Sequence, residues 1–204
     1  MKRAALLLLV LGAVPAVVQA QVCRGQAPWS SGSIKAGGYV EFGEGYTDFA
    51  GSLGFGKDRG LFFGAGAGVT SYSGPGGSQV FVEGHIAKEM SEPITDKLEL
   101  CPIASVAILL PKDEVSGQSA LAGVSLGYPL NVSAENLRIV LTGGGQLGFS
   151  RVSVAGFSET DFVGVFDFGA GFIFNNRISL VPTLRIPTEG DLAFRIAANV
   201  ALGR

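Results

Sequence analysis

Residues 165–186 read VFDFGAGFIFNNRISLVPTLRI, two alternating runs hinged at Asn175-Asn176-Arg177. Before the hinge Phe166, Phe168, Ala170, Phe172 and Phe174 share one parity, and after it Ile178, Leu180, Pro182, Leu184 and Ile186 do the same. The opposite parity carries Val165, Asp167, Gly169, Gly171 and Ile173, then Ser179, Val181, Thr183 and Arg185. Side chains alternate across a strand, so the stretch reads as a hairpin with one almost wholly apolar face and one mixed face that carries its polar residues. Whether protein core or lipid covers the apolar face decides the fold.

The same design recurs along the chain. About ten alternating segments follow one another at 33–43, 47–57, 60–72, 79–88, 97–110, 118–130, 137–150, 160–175, 177–187 and 191–204. Most are longer than the roughly 5–6 residues of an ordinary strand, and they meet the 9–11 tilted residues that a bilayer-crossing strand needs. Charged and ionisable residues inside the segments collect on the second face: Lys35, Glu41, Asp48, Glu83, His85, Glu99, Arg138, Asp167, Arg185 and Arg195. Parity alone does not separate a soluble sandwich from a membrane barrel. The second face is otherwise rich in Gly, Ala and Ser, which suits a narrow enclosed lumen better than a solvated surface.

Composition points the same way. Only 16% of residues are charged, against about 25% in an average domain. Hydrophobic residues make up 47% and there are 31 glycines, yet beyond the first residues no apolar run is long enough for a spanning helix. The excess hydrophobicity therefore belongs on a sheet face. Net charge is −2 with no basic block, which excludes the usual electrostatic footprint of a nucleic-acid partner.

The chain begins MKRAALLLLVLGAVPAVVQA, a charged start, an apolar stretch and small residues at Val18 and Ala20. This pattern predicts a secretory signal peptide over residues 1–20, a periplasmic segment over 21–32 and a barrel over 33–204. Cys23 and Cys101 are the two cysteines of an exported chain, and the even count predicts one disulfide between them. Such a bridge stabilises by roughly 4 kcal/mol in the chain-entropy model. It also places the segment around Cys23, with Trp29, at or inside the periplasmic mouth.

Chemistry-bearing motifs are sparse. Gly64-Ala65-Gly66-Ala67-Gly68 and Gly143-Gly144-Gly145 lack the following helix and the lysine of a phosphate loop, and as mid-strand glycines they permit curvature or close approach. Glu83 and His85 share a face two residues apart, but no nucleophile is identifiable beside them. Neither a metal nor a cofactor is expected. Pro102 and Pro182 lie inside strands and predict bulges there. Aromatics at Tyr46, Tyr72, Phe157 and Phe162, and at Phe62, Phe63, Tyr128, Phe172 and Phe174, are placed as two interfacial girdles. The connections around 71–78, 111–117, 151–159 and 188–190 are expected outside the cell, and those around 58–59, 90–96, 131–136 and Asn176 in the periplasm.

On the signal-peptide pattern, the glycine-rich amphipathic strands and a last strand running to the C-terminus, residues 33–204 resemble the small outer-membrane β-barrel proteins of Gram-negative-type bacteria, the OmpA-like and porin group. The resemblance implies an all-β, antiparallel, up-and-down transmembrane barrel of about ten strands, with eight as the alternative. It implies outer-membrane lipid and the barrel-assembly machinery as partners. The family tends to end in an aromatic residue, whereas this chain ends Ala201-Leu202-Gly203-Arg204. The expectation is a monomeric, non-enzymatic barrel with a structural, adhesive or narrow-conduit role. Its lumenal charge network would comprise Lys35, Glu41, Glu83, His85, Glu99, Arg138, Asp167, Arg185 and Arg195. An outer-membrane protease or lipid-modifying enzyme, a small porin, and a soluble β-protein with an apolar ligand remain as rival readings.

Overall fold

A computed structural model describes residues 23–26, 32–57, 60–74, 77–90, 98–132 and 134–202. The expected signal peptide, most of the segment 21–32 including Trp29, and the connection 91–97 lie outside the described residues. Ten antiparallel strands follow in order: β1 (Ile34–Gly43), β2 (Tyr46–Gly56), β3 (Leu61–Tyr72), β4 (Ser78–Lys88), β5 (Glu99–Lys112), β6 (Val115–Leu130), β7 (Leu137–Val154), β8 (Phe157–Phe174), β9 (Ile178–Pro187) and β10 (Ala193–Ala201). Each pairs with its sequence neighbours, and β10 returns to β1 through Lys35↔Ala201 to Phe42↔Phe194, closing the sheet. A closed barrel leaves no edge inside the membrane, the only all-β solution lipid tolerates.

Closure settles which face is which. The opening hairpin pairs Phe168 with Leu184 and Asp167 with Arg185, and the apolar set points outward. Phe49, Leu53, Leu141, Leu147, Phe168 and Val200 all lie on the exposed outer surface. On the inner face, Lys35, Glu41, Glu99 and Gln146 are buried. A continuous apolar belt of this size exceeds the few hundred Å² that a monomeric soluble surface carries. Phe168→Arg, at mid-strand on this belt, is expected to lower the unfolding free energy in bilayers by about 2–4 kcal/mol. Denaturant titration of the folded barrel in lipid checks it; a loss within error of zero would contradict a lipid-facing position.

Tight turns set the pairing. Asp113-Glu114 and Ala155-Gly156 are two-residue turns with positive φ at both positions, which matches the twist of the flanking strands. Asn175 and Asn176 take positive φ at the hinge, where Arg177 N donates to Phe174 O at 3.0 Å. The connections expected at 111–117 and 151–159 are therefore mostly strand. β7 and β8 each run 18 residues, and with β5 and β6 they rise past the rest of the barrel at the end away from the chain termini.

The expected proline bulges are absent. In β5 the register shifts between Leu109 and Lys112, while Pro102 pairs in step with Val124. Pro102 stands one residue beyond Ile103↔Ala87, and past it Met90 N donates to Leu100 O at 3.2 Å in the same register, so its missing N–H leaves a gap in that pairing and no shift. Pro182 pairs in step with Ile196. On its other side the β8–β9 ladder skips from Gly169↔Thr183 to Phe172↔Leu180 and resumes without a shift. The missing donor interrupts that ladder and does not bulge it.

Four girdle placements are corrected as well. Phe62 points inward and is 1% exposed. Tyr46 also faces the lumen, its hydroxyl donating to Glu41 Oε1 at 3.0 Å. Tyr72, paired with Tyr46, shares its face, and Phe157 has the parity that lines the lumen below, whereas Phe162 lies on the exposed outer surface.

Candidate functional site

The lumen is the one place where the chain concentrates polar chemistry among its described residues. Glu41 of β1 is its hub. Arg195 Nε of β10 donates to Glu41 Oε2 at 2.6 Å, and Arg185 Nη1 of β9 donates to the same oxygen at 3.2 Å. Arg185 Nε donates to Asp167 Oδ1 of β8 at 3.1 Å. The Arg195 guanidinium lies 3.9 Å over the Tyr39 ring, whose hydroxyl donates to Glu83 Oε2 of β4 at 3.3 Å. One continuous chain thus runs Asp167, Arg185, Glu41, Arg195, Tyr39, Glu83. These strands deliver it because period two sends Glu41, Arg195, Thr183 and Gly169 to the inside at matched register.

The remaining residues of the expected network are inward but sit elsewhere. Lys35, Glu99 and Arg138 lie near the first residues of β1, β5 and β7, at the terminal end of the barrel. Each is engaged there; Glu99 interacts electrostatically with Arg138, and Glu89 with Lys35. His85 stacks edge-on against Phe62, with ring centroids 6.0 Å apart, and Glu83 is bonded to Tyr39. The two do not form the acid–imidazole pair that their spacing allowed.

Glycine makes the room. A Cβ on Gly64 would fall 2.7 Å from the His85 ring, and one on Gly66 would fall 3.1 Å from Glu83 Oε1. The Gly64 and Gly66 positions of β3 are thus the space that the β4 side chains occupy. Gly64→Ala is expected to displace His85 and destabilise the barrel, whereas the outward neighbour Ala65→Gly leaves the lumen intact. Thermal unfolding in detergent compares the two, and equal effects would contradict the packing role.

Into this lumen comes the N-terminal segment. Cys23 and Cys101 form a disulfide. Its sulfurs lie in a buried cluster with Phe62, Ala87 and Ile103, an apolar patch on the inner wall. Cys23–Gly25 forms a 3-10 turn, with Gln26 N donating to Cys23 O at 3.1 Å. Arg24 adopts a left-handed φ of 56°, a conformation that costs an ordinary residue roughly 1–2 kcal/mol. Burial pushes its guanidinium down from the ordinary value, and Asp167 is the largest opposing influence. Arg24 and Gln26 border a lumenal cavity of about 230 Å³, shared with Tyr39, His85, Gln146 and Asn199. The sequence pointed to the bridge, and the parity of Gly64, Gly66 and Gly68 carried the signal that turns Phe62 beneath it, but nothing in it showed Arg24 reaching the charge network.

Three kinds of comparison bear on this arrangement. No curated protein sequence matches the chain. The beta domain of the Bordetella autotransporter BrkA is 9% identical, covering 84% of this chain and 99% of that one, with a TM-score of 0.51. The N-terminal β-barrel domain of Pseudomonas aeruginosa OprF is also 9% identical, covering 84% and 98%, with a TM-score of 0.42. LpxR from Salmonella typhimurium is 12% identical over 89% of this chain and 78% of that one, with a TM-score of 0.45. The family profile described as outer membrane protein beta-barrel domain matches residues 4–192. Ten closed strands, an apolar exterior and a charged interior agree with that match, and the chain belongs to the outer membrane protein beta-barrel domain family.

Proposed function

We propose that this is a monomeric structural barrel of the outer membrane, exported by a signal peptide cleaved after Ala20, with a lumen closed at rest and no enzymatic activity. The barrel-assembly machinery inserts it, and the end carrying the long β5–β8 strands faces outside the cell. The observation that carries the reading is the filled lumen. Glu41 takes two guanidinium donors across strands, and the Cys23–Cys101 bridge holds Arg24 against the same interior. A barrel of about ten strands encloses little more than its side chains need, so an inserted turn suffices to block it.

A hydrolytic role finds little support. His85 is packed on Phe62, and Glu83 is engaged by the Tyr39 hydroxyl. The 230 Å³ cavity favours one second reading, a narrow conduit that passes ions when the N-terminal turn is released. Planar-bilayer recording of the oxidised, full-length protein tests the proposal. No steady conductance is expected; a stable open level with the disulfide intact would make it a pore.

A further inference from the structure

The sheet changes character where β7 and β8 leave the barrel. Lower down, the outer face is apolar and the inner face polar. Beyond Phe149 and Phe162 the polarity exchanges sides. The outward parity becomes Gln118, Arg151, Ser153, Ser158 and Thr160, with Ser153 and Ser158 hydroxyls 2.7 Å apart. The parity that lines the lumen below becomes Val115, Val152, Val154 and Phe157, with the acids Glu159 and Asp161 among them on β8. Val152, Val154 and Phe157 are 47%, 50% and 83% exposed. Lipid explains neither face of this wing, because its apolar side overhangs the mouth.

The two margins of the wing differ. On the β5 side the backbone is capped by side chains: Gln79 Nε2 donates to Leu110 O at 2.8 Å and Val115 O at 3.0 Å, and Lys112 Nζ to Ser78 O at 2.6 Å. On the β8 side the β9 ladder starts only at Val165↔Pro187, with one further contact at Gly164. Thr188 N donates to Gly164 O at 2.8 Å, and Gly164 N donates to Thr188 Oγ1 at 2.8 Å. Antiparallel pairing sends alternate residues' N–H and C=O to the same side. Phe162, Thr160 and Ser158 therefore present theirs along the line that Gly164 begins, where no described strand reaches.

We propose that the open β8 edge, Ser158 to Phe162, is a docking site for an extended peptide segment that adds as an eleventh strand. Exposed edges template this mode of recognition, and alternate side chains supply the selectivity. Charge complementarity identifies the occupant. On the apolar side of the edge strand, the acids Glu159 and Asp161 stand exposed between Phe157 and Val163. A strand laid alongside places basic residues opposite the two acids and apolar residues opposite Phe157 and Val163, alternating with small polar residues on the other face. A second copy of this chain does not fit: it would bring the same acids against each other.

The probe is a labelled synthetic peptide Val-Thr-Lys-Thr-Lys-Thr-Val, with a control in which Glu replaces both Lys. Binding is read by fluorescence anisotropy with the full-length barrel in detergent micelles. The lysine peptide is expected to bind at least tenfold more tightly than its acidic control, less so at high salt. Thr160→Pro removes an edge donor that β7 does not use and is expected to weaken binding at least tenfold without changing the melting temperature. Glu159→Lys with Asp161→Lys is expected to reverse the peptide preference, which keeps the test decisive should the proline variant misfold. Equal binding of both peptides, affinity unchanged in the lysine variant, or self-association through this edge would overturn the proposal.

Discussion

Glu41→Ala is expected to lower the unfolding free energy of the barrel by about 3–5 kcal/mol, the cost of leaving a buried ionic partner uncompensated. The carboxylate is 3% exposed and accepts from Arg185, Arg195 and the Tyr46 hydroxyl. Its loss does not strand the two arginines equally. Arg185 keeps Asp167, whereas Arg195 keeps only the face of Tyr39 among the contacts described. The double variant Glu41→Ala with Arg195→Ala should therefore recover part of the loss, because it removes the charge left without a carboxylate. Denaturant unfolding in lipid or detergent measures both. A single-variant loss below about 1 kcal/mol, the range of exposed pairs, would show the hub to be solvated.

Cys101→Ser, or reduction of the native protein, is expected to cost about 4 kcal/mol, since the bridge closes a loop of 78 residues. The larger effect is positional. The bridge is the covalent tie between the Cys23 turn and the wall, and Arg24 depends on it to stay against the cavity. Without it, the left-handed strain at Arg24 and the burial of a guanidinium both favour departure of the turn. Thermal unfolding with and without reductant gives the stability change. Current in the same bilayer before and after reductant reads the release, and a change in neither would mean that lumenal packing holds the turn unaided.

The strands were legible because each obeys the same period, and the segments expected from alternation overlap all ten observed strands. Their outer ends were not. In residues 111–117 and 151–159 the polarity exchanges faces, so a reading that follows one apolar parity stops where the strand continues. The turns there, Asp113-Glu114 and Ala155-Gly156, also lack the asparagine-glycine signature of a two-residue hairpin.

Phe62 illustrates a second limit. Adjacent Phe62 and Phe63 fit either parity as aromatics, yet Gly64, Gly66 and Gly68 fix the inner parity of β3 and place Phe62 with them. That signal was present in the sequence. The inward direction of the charges followed from parity as well, but their partners did not. Glu41 meets Arg185 across 144 positions of sequence and Arg195 across 154, and such pairings exist only once β10 closes on β1.

The claim beneath all of this is that the apolar face of VFDFGAGFIFNNRISLVPTLRI meets lipid. A tryptophan at position 168 reports on it most directly. With Trp29→Phe to remove the native indole, the Phe168→Trp barrel is reconstituted in vesicles whose acyl chains are brominated near the bilayer centre. Position 168 is on the outer face and 52% exposed. Strong quenching by the bromines and little by aqueous acrylamide is expected. Acrylamide quenching with no response to brominated lipid would put that face in water and contradict the barrel's orientation of its two faces.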